Sequence, residues 1–280
     1  MGINFCWIDD LLLQVQALQP NAQLLYTKQY VIINLQNGFF LHLVPLKNNF
    51  AAGQLIELQN KYQIENKQLI HIWEDVWIAK SDQVLFRLNS FLGLNTGFHA
   101  RKTKIVQLDL DQTKNFLNSY HLQGYVSAKY SFGLIENDEI IALATFSDTR
   151  LMKKKGANHQ SAELVRFASK NGITVVGGLS KLIKHFTKQI NVDDIMTYAD
   201  RDWSLGKGYD KLGFEFTQTT DALTFYVNEN DLVRYLPHRL PKKILIDFKG
   251  QNSLNLDDFL TANGYVKVFN TGNLKYHLYL

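Results

Sequence analysis

The stretch Val175-Val176-Gly177-Gly178-Leu179-Ser180-Lys181 constrains this chain more than any other. A β-branched run meets two glycines, and Leu179, Leu182, Ile183 and Phe186 then recur on one face at helical spacing. Upstream, Glu163–Ala168 reads as a strand broken by Lys170-Asn171-Gly172; downstream, Asp194–Tyr198 reads as a buried strand. Strand, glycine turn, helix and strand make a parallel crossover, because parallel neighbours need a connection long enough to hold a helix. Phe132–Ile135 and Ile140–Phe146, around the polar turn Glu136-Asn137-Asp138-Glu139, add a hairpin. The expected fold class is therefore α/β (α+β), with a mixed sheet.

Three segments are expected along the chain. Residues 1–95 open with a helix around Ile8–Leu18. Two apolar runs, Tyr30–Leu35 and Phe39–Val44, then flank Gln36-Asn37-Gly38, the strongest short hairpin signal. A helix at Gly53–Tyr62, a strand at Gln68–Trp73 and a helix at Ser81–Leu92 follow, and Gly93 and Gly97 mark a linker. Residues 104–228 hold the crossover, with a helix at Thr113–Tyr120 before it. A short helix at Tyr209–Leu212 and a final strand pair, Phe214–Gln218 and Ala222–Val227, come after it. Residues 229–280 form a tail with a helix at Leu256–Ala262 and two strands joined by a hairpin-type turn, Asn270-Thr271-Gly272-Asn273.

Composition removes several classes. With 46 % hydrophobic and 20 % charged residues, the 280-residue chain can bury a core. One cysteine, Cys6, excludes an internal disulfide framework and a Cys-rich zinc module. No apolar run approaches the roughly 18 residues of a membrane span, and Asp9 and Asp10 interrupt the first apolar stretch. The expectation is a cytoplasmic protein with no membrane partner. A net charge of +4 permits nucleic-acid binding without demanding it. The local clusters His99-Ala100-Arg101-Lys102-Thr103-Lys104 and Leu151-Met152-Lys153-Lys154-Lys155-Gly156 carry the basic character, either as solvated loops or as phosphate contacts.

The glycine turn also has the chemistry of an anion site. The first N–H groups of a helix lack internal partners and carry partial positive charge. Val176, Gly177 and Gly178 let backbone approach a ligand, Ser180 offers a hydroxyl and Lys181 a full charge. The Walker phosphate pattern is absent. Farther on, Asp200, Arg201, Asp202 and Trp203 follow a strand end, where open sheets take ligands. His121-Leu122-Gln123-Gly124 follows a helix, and His121 has the side-chain type of a general base near neutral pH. Glu163 and Arg166 flank the strand Leu164–Phe167.

The run Gly208-Tyr209-Asp210-Lys211-Leu212-Gly213-Phe214, a tyrosine four residues before Gly-Phe after a strand, resembles the GNAT acyltransferase superfamily over about Lys104–Val227. The resemblance implies an acyl-CoA donor such as acetyl-CoA, held at Val176, Gly177, Gly178, Ser180 and Lys181. It implies Tyr209 as general acid toward the departing thiolate, and Asp200 or His121 as base. It also implies an acceptor wall that includes Gln123, Arg166, Arg201 and Trp203. The family's Gln/Arg-x-x-Gly-x-Gly/Ala pattern is only partly kept, since Val175 occupies the Gln/Arg position.

Gln68-Leu69-Ile70-His71-Ile72-Trp73-Glu74-Asp75-Val76-Trp77 resembles the closing strand of very-short-patch-repair endonucleases and of homing-endonuclease-like phage proteins. The strand around Arg166 is similar to that of Mom-type DNA modifiers. These resemblances imply a nucleic acid (DNA) partner, with a base or nucleotide as acyl acceptor. The nuclease-like segment places Leu35 where a metal-holding carboxylate is needed, which implies an inactive remnant. Two other readings stay open: a non-catalytic DNA-binding protein, or a nuclease using carboxylates elsewhere, with Asp9, Asp10, Glu57 and Glu65 nearby in sequence.

Overall fold

The computed structural model describes residues 5–36, 38–249 and 255–280. The first stretch contains α1 (Phe5–Leu18), β1 (Gln23–Tyr26), β2 (Val31–Asn34), β3 (Phe39–Val44), α2 (Ala52–Ile64), β4 (Gln68–Trp73) and α3 (Glu74–Phe91). The middle contains β5 (Thr96–His99), β6 (Lys104–Gln107), α4 (Leu110–Tyr120), β7 (Tyr130–Glu136), β8 (Glu139–Phe146), β9 (Arg150–Leu151) and β10 (Gln160–Ser169). It continues through β11 (Ile173–Val176), α5 (Gly178–Gln189), β12 (Asp194–Asp200), α6 (Lys207–Asp210) and β13 (Glu215–Thr219). Last come β14 (Thr224–Asn228), β15 (Arg234–Tyr235), α7 (Lys242–Lys249), α8 (Leu256–Ala262), β16 (Tyr265–Phe269) and β17 (Asn273–Tyr279). The class is mixed α/β, as the sequence leads one to expect.

The chain forms two compact units whose boundaries differ from the three segments read from sequence. One comprises Met1–Ser81, Asp200–Leu205 and Thr219–Asn273, the other Asp82–Ala199, Gly206–Gln218 and Leu274–Leu280. Most of residues 229–280 thus pack with the N-terminal segment instead of forming a separate tail. The division falls beside Lys80, which breaks α3 with φ −149° and ψ 40°.

The first unit has a sheet in the order β1-β2-β3-β4, antiparallel except for the β3–β4 pair, and a three-stranded sheet β15-β14-β16. β2 and β3 are adjacent and antiparallel as expected, although Asn37 of the connecting turn lies outside the described residues. Val44, Leu55, Trp73, Val227 and Val268 share one buried core. A bidentate pair joins Arg234 to buried Asp75, at 2.6 and 2.8 Å. β4 has the bounds expected for it, and α3 begins directly after it at Glu74.

The second unit is built on the sheet β13-β17-β12-β10-β8-β7-β6, with β9 on the side of β10, plus a parallel pair β5–β11. Two expected hairpins are absent. β14 pairs with β15 and β16 and not with β13, while β17 lies between β12 and β13 and not beside β16. The stretch at Gly93–Gly97 also runs into β5 and is not wholly linker. Alternation along β8 gives the main sheet two packed faces. Ala142, Ala144 and Phe146 join the core under α5, where Phe146 stacks on Phe186 at 4.2 Å between ring centres. Leu143 and Ala168 join the core under α4. Asp109 starts α4 by accepting the Gln112 N–H at 2.8 Å, and the Gln112 side chain returns a bond to the Asp109 N–H.

Candidate functional site

The expected crossover is present: β10 and β12 run parallel, paired at Ser161↔Asp194, Ala162↔Ile195 and Glu163↔Met196. Pairing then stops, although β10 continues to Ser169 and β12 to Asp200. β10 shifts register between Leu164 and Arg166 as it follows β8, the mark of a bulge. The two strands therefore part like a fork. Parted edges present unpaired backbone polar groups, and such crevices are where sheets of this kind take ligands.

Tyr209 reaches the point of parting. Thr197 Oγ1 donates to the Leu164 carbonyl at 3.0 Å and lies 3.5 Å from the Tyr209 hydroxyl. The Tyr209 ring packs against Phe214 and Tyr276, at 5.4 and 5.5 Å between ring centres. The turn before it needs Gly206, at φ 77°, because a Cβ there would overlap the Tyr276 hydroxyl.

Glu163 stands at the last paired position. Ala162 and Leu164 point into the core under α5, so Glu163 faces the opposite side of the sheet. Burial raises its pKa, partly offset by Arg150, Arg166 and Lys275. Arg166 donates from Nε to the Gly124 carbonyl at 3.3 Å and from Nη1 to the Val165 carbonyl at 2.9 Å.

The glycine turn opens onto a cavity of about 570 Å³ beside α5. Val176, Gly177 and Ser180 line it, and Arg101, Lys184, Lys188, His99 and His185 surround it with basic groups. Gly177 caps α5 at φ 74°, a left-handed conformation that favours glycine. Two neighbours depart from their expected role. The Lys181 ammonium also borders the cavity but donates to the Ala100 and Thr103 carbonyls at 2.9 and 2.6 Å, so it ties down the 100–103 turn. Gly178 is buried where a Cβ would stand 3.0 Å from Val175, which makes it a packing residue of the helix start.

His121 ends α4, and its Nδ1 accepts the Gln123 N–H at 3.1 Å. It lines a second cavity, of about 240 Å³, with Tyr120, Phe167 and Ser169. Gln123 is exposed.

Asp200, Arg201 and Trp203 belong to the other unit. Asp200 Oδ1 accepts the Asp202 N–H at 3.0 Å and its carbonyl accepts those of Trp203 and Ser204. Arg201 Nη1 donates to the Thr271 carbonyl at 3.3 Å, and Trp203 is buried. Asp202, with Oδ1 accepting from Thr271 and Oδ2 from Trp73, is a buried anchor of this turn. The fork and both cavities are thus lined from the second unit, while these three residues make a structural turn in the first.

In the first unit Leu35 is buried, and no group of His, Cys, Asp and Glu among the described residues is arranged to hold a metal ion. No described helix is long and apolar enough to cross a membrane. Sequence reasoning named Tyr209, Gly177 and Ser180. It missed Thr197, Lys184 and Lys188, and it noticed Glu163 without giving it a role. The lysines had a signal: Ser180, Lys184 and Lys188 recur at four-residue spacing, one helix face.

No protein family and no curated protein matches the chain. Among solved structures it is similar to a GNAT family acetyltransferase from Elizabethkingia anophelis with acetyl-CoA bound, at 13 % identity and TM-score 0.36, covering 64 % of this chain and 99 % of that one. It is also similar to a Bacillus subtilis acetyltransferase in complex with CoA, at 14 % identity and TM-score 0.33, covering 64 % and 99 %. A third is the ribosomal-protein-S18-alanine N-acetyltransferase of Escherichia coli, at 13 % identity and TM-score 0.35, covering 63 % and 93 %. These likenesses are loose.

Proposed function

We propose that the second unit transfers an acyl group from an acyl-CoA donor to an amine at the fork between β10 and β12. The observation that carries this reading is the Tyr209 hydroxyl standing where those strands part, beside Thr197. The donor, when bound, supplies an activated acyl carbon and a thiol leaving group. Its phosphates fit the α5 cavity, where the helix start and the cations Arg101, Lys184 and Lys188 supply positive charge. Tyr209 Oη gives a proton to the leaving sulfur, and the Glu163 carboxylate takes one from the attacking nitrogen. Glu163 replaces Asp200 in that second role because Asp200 is engaged in a turn. Holding amine and acyl carbon together supplies much of the remaining rate.

The test is a melting curve with acetyl-CoA followed by release of CoA thiol with a panel of amines. Stabilisation and release support the reading; an unchanged melting curve at saturating donor defeats it. A second reading uses the same three cations for a DNA backbone without acyl chemistry. Salt-sensitive DNA retention indifferent to acetyl-CoA would select it.

A further inference from the structure

Leu164 is the residue at which β10 leaves both of its neighbours. Parallel pairing with β12 ends one residue earlier, at Glu163↔Met196, and the register with β8 shifts directly after it, between Leu164 and Arg166. The Glu163 carbonyl accepts the Ser147 N–H at 2.9 Å, so it points to the β8 side. Carbonyls alternate along a strand, which turns that of Leu164 toward β12. One more rung of the parallel ladder would pair Leu164 with Thr197 and give that carbonyl the Tyr198 N–H. It accepts the Thr197 hydroxyl instead, at 3.0 Å.

Thr197 stands where an apolar residue is the simpler choice. Ile195 and Ala199, on either side of it along the same face of β12, belong to the core under α5, and Thr197 itself is 2 % exposed. A hydroxyl buried there costs stability unless it is bonded, and a valine would fill the position without that cost. The hydroxyl has one proton to give, and the Leu164 carbonyl can only accept. That proton is therefore committed to Leu164, and across the 3.5 Å to Tyr209 Oη any bond runs from Tyr209 to Thr197.

We infer that Thr197 is the positioning residue of the fork: a side-chain bond in place of a ladder bond keeps β10 and β12 from closing past Glu163, and the same oxygen seats the Tyr209 hydroxyl at the parting. Its part in acyl transfer rests on the reading above; its part in holding the strands open rests on register and distance alone. Without the hydroxyl the Leu164 carbonyl is left buried and bare. The ladder donor, the Tyr198 N–H, then satisfies it by closing the fork one rung. That rung takes the room in which donor and amine meet.

The test is hydrogen exchange of the Tyr198 amide in the full chain, followed by NMR, beside calorimetric titration with acetyl-CoA. In Thr197→Val the amide exchanges at least tenfold more slowly than in the native chain, and acetyl-CoA binds at least tenfold more weakly. Thr197→Ser, which keeps the hydroxyl, restores both. Thr197→Ala takes the place of Thr197→Val, with the same expected results, should the valine variant fail to fold. Native exchange in the variant without a hydroxyl overturns the inference, because a hydroxyl that only stabilises the core would lower the melting temperature and leave that amide as it was. Slowed exchange with native affinity for acetyl-CoA overturns it too, since the parting would then not position the donor. If exchange slows in the variant but acetyl-CoA does not bind the native chain, the acyl-transfer reading alone falls, and Thr197 remains the residue that sets the fork.

Discussion

The Tyr209 hydroxyl lies 3.5 Å from the hydroxyl of Thr197, the first residue of β12 past its last pairing with β10. Tyr209→Phe removes only that hydroxyl and keeps the ring contacts with Phe214 and Tyr276. The melting temperature should therefore stay within a few degrees, while CoA release falls by about 10²–10⁴-fold, the range for losing a general acid. Turnover at the native level would remove Tyr209 from the chemistry.

Glu163 makes its prediction through pH. A base works deprotonated, and burial raises the Glu163 pKa. The rate should therefore rise with pH through a value above the ordinary glutamate range, about 4.3. Glu163→Gln should lower turnover by about 10²–10⁴-fold and flatten that acidic limb. A pH–rate profile of kcat/KM for both proteins checks this; an acidic limb that survives in the variant belongs to another group.

Much of this arrangement was legible because it is local. The α5 stripe, the β7–β8 hairpin and the glycine turn are each specified within about a dozen residues. Partner choice for the late strands was not legible, because β17 enters between β12 and β13 from the far end of the chain. The turn Asn270–Asn273 looks like a hairpin locally but connects two sheets. The same limit hid Glu163, whose face is set by register with Met196 and Arg150 by way of Ser161. The turn that holds Arg201 and Trp203 was not legible either, because a polar run after a strand looks the same whether it lines a ligand site or packs around a buried carboxylate such as Asp202.

The first unit has its own pH dependence. His42 and His71 are register partners in β3 and β4, buried, with their Nδ1 atoms 2.9 Å apart. His71 Nε2 faces the Leu55 carbonyl at 3.2 Å, which can only accept, so His71 donates there and its Nδ1 accepts a hydrogen bond from the His42 Nδ1–H. Burial drives the His71 pKa down to about 3, and that of His42 well below its usual value. Unfolded histidines bind protons below about pH 6.5 that these do not. Stability is therefore complete above pH 6.5 and declines toward pH 3; at pH 5 His71 alone costs about 2 kcal/mol. Urea midpoints at pH 7 and pH 5 measure this, and equal midpoints would refute it.

Gly206→Ala tests the seat of Tyr209. The left-handed backbone costs a non-glycine residue about 1–3 kcal/mol, and the new Cβ displaces Tyr276, on which the Tyr209 ring rests. The variant should melt lower and lose turnover beyond what its stability loss explains, measured well below its melting temperature. Native turnover would separate the Gly206 turn from the site.

The central claim is tested most directly by calorimetric titration of acetyl-CoA into the full chain, beside a Lys184→Glu, Lys188→Glu variant. The account predicts saturable binding to the native protein, weakened at least tenfold in the variant because the phosphates lose the two α5 cations that are not tied to the 100–103 turn. Absence of binding to the native chain, or equal affinity in the two, would contradict it.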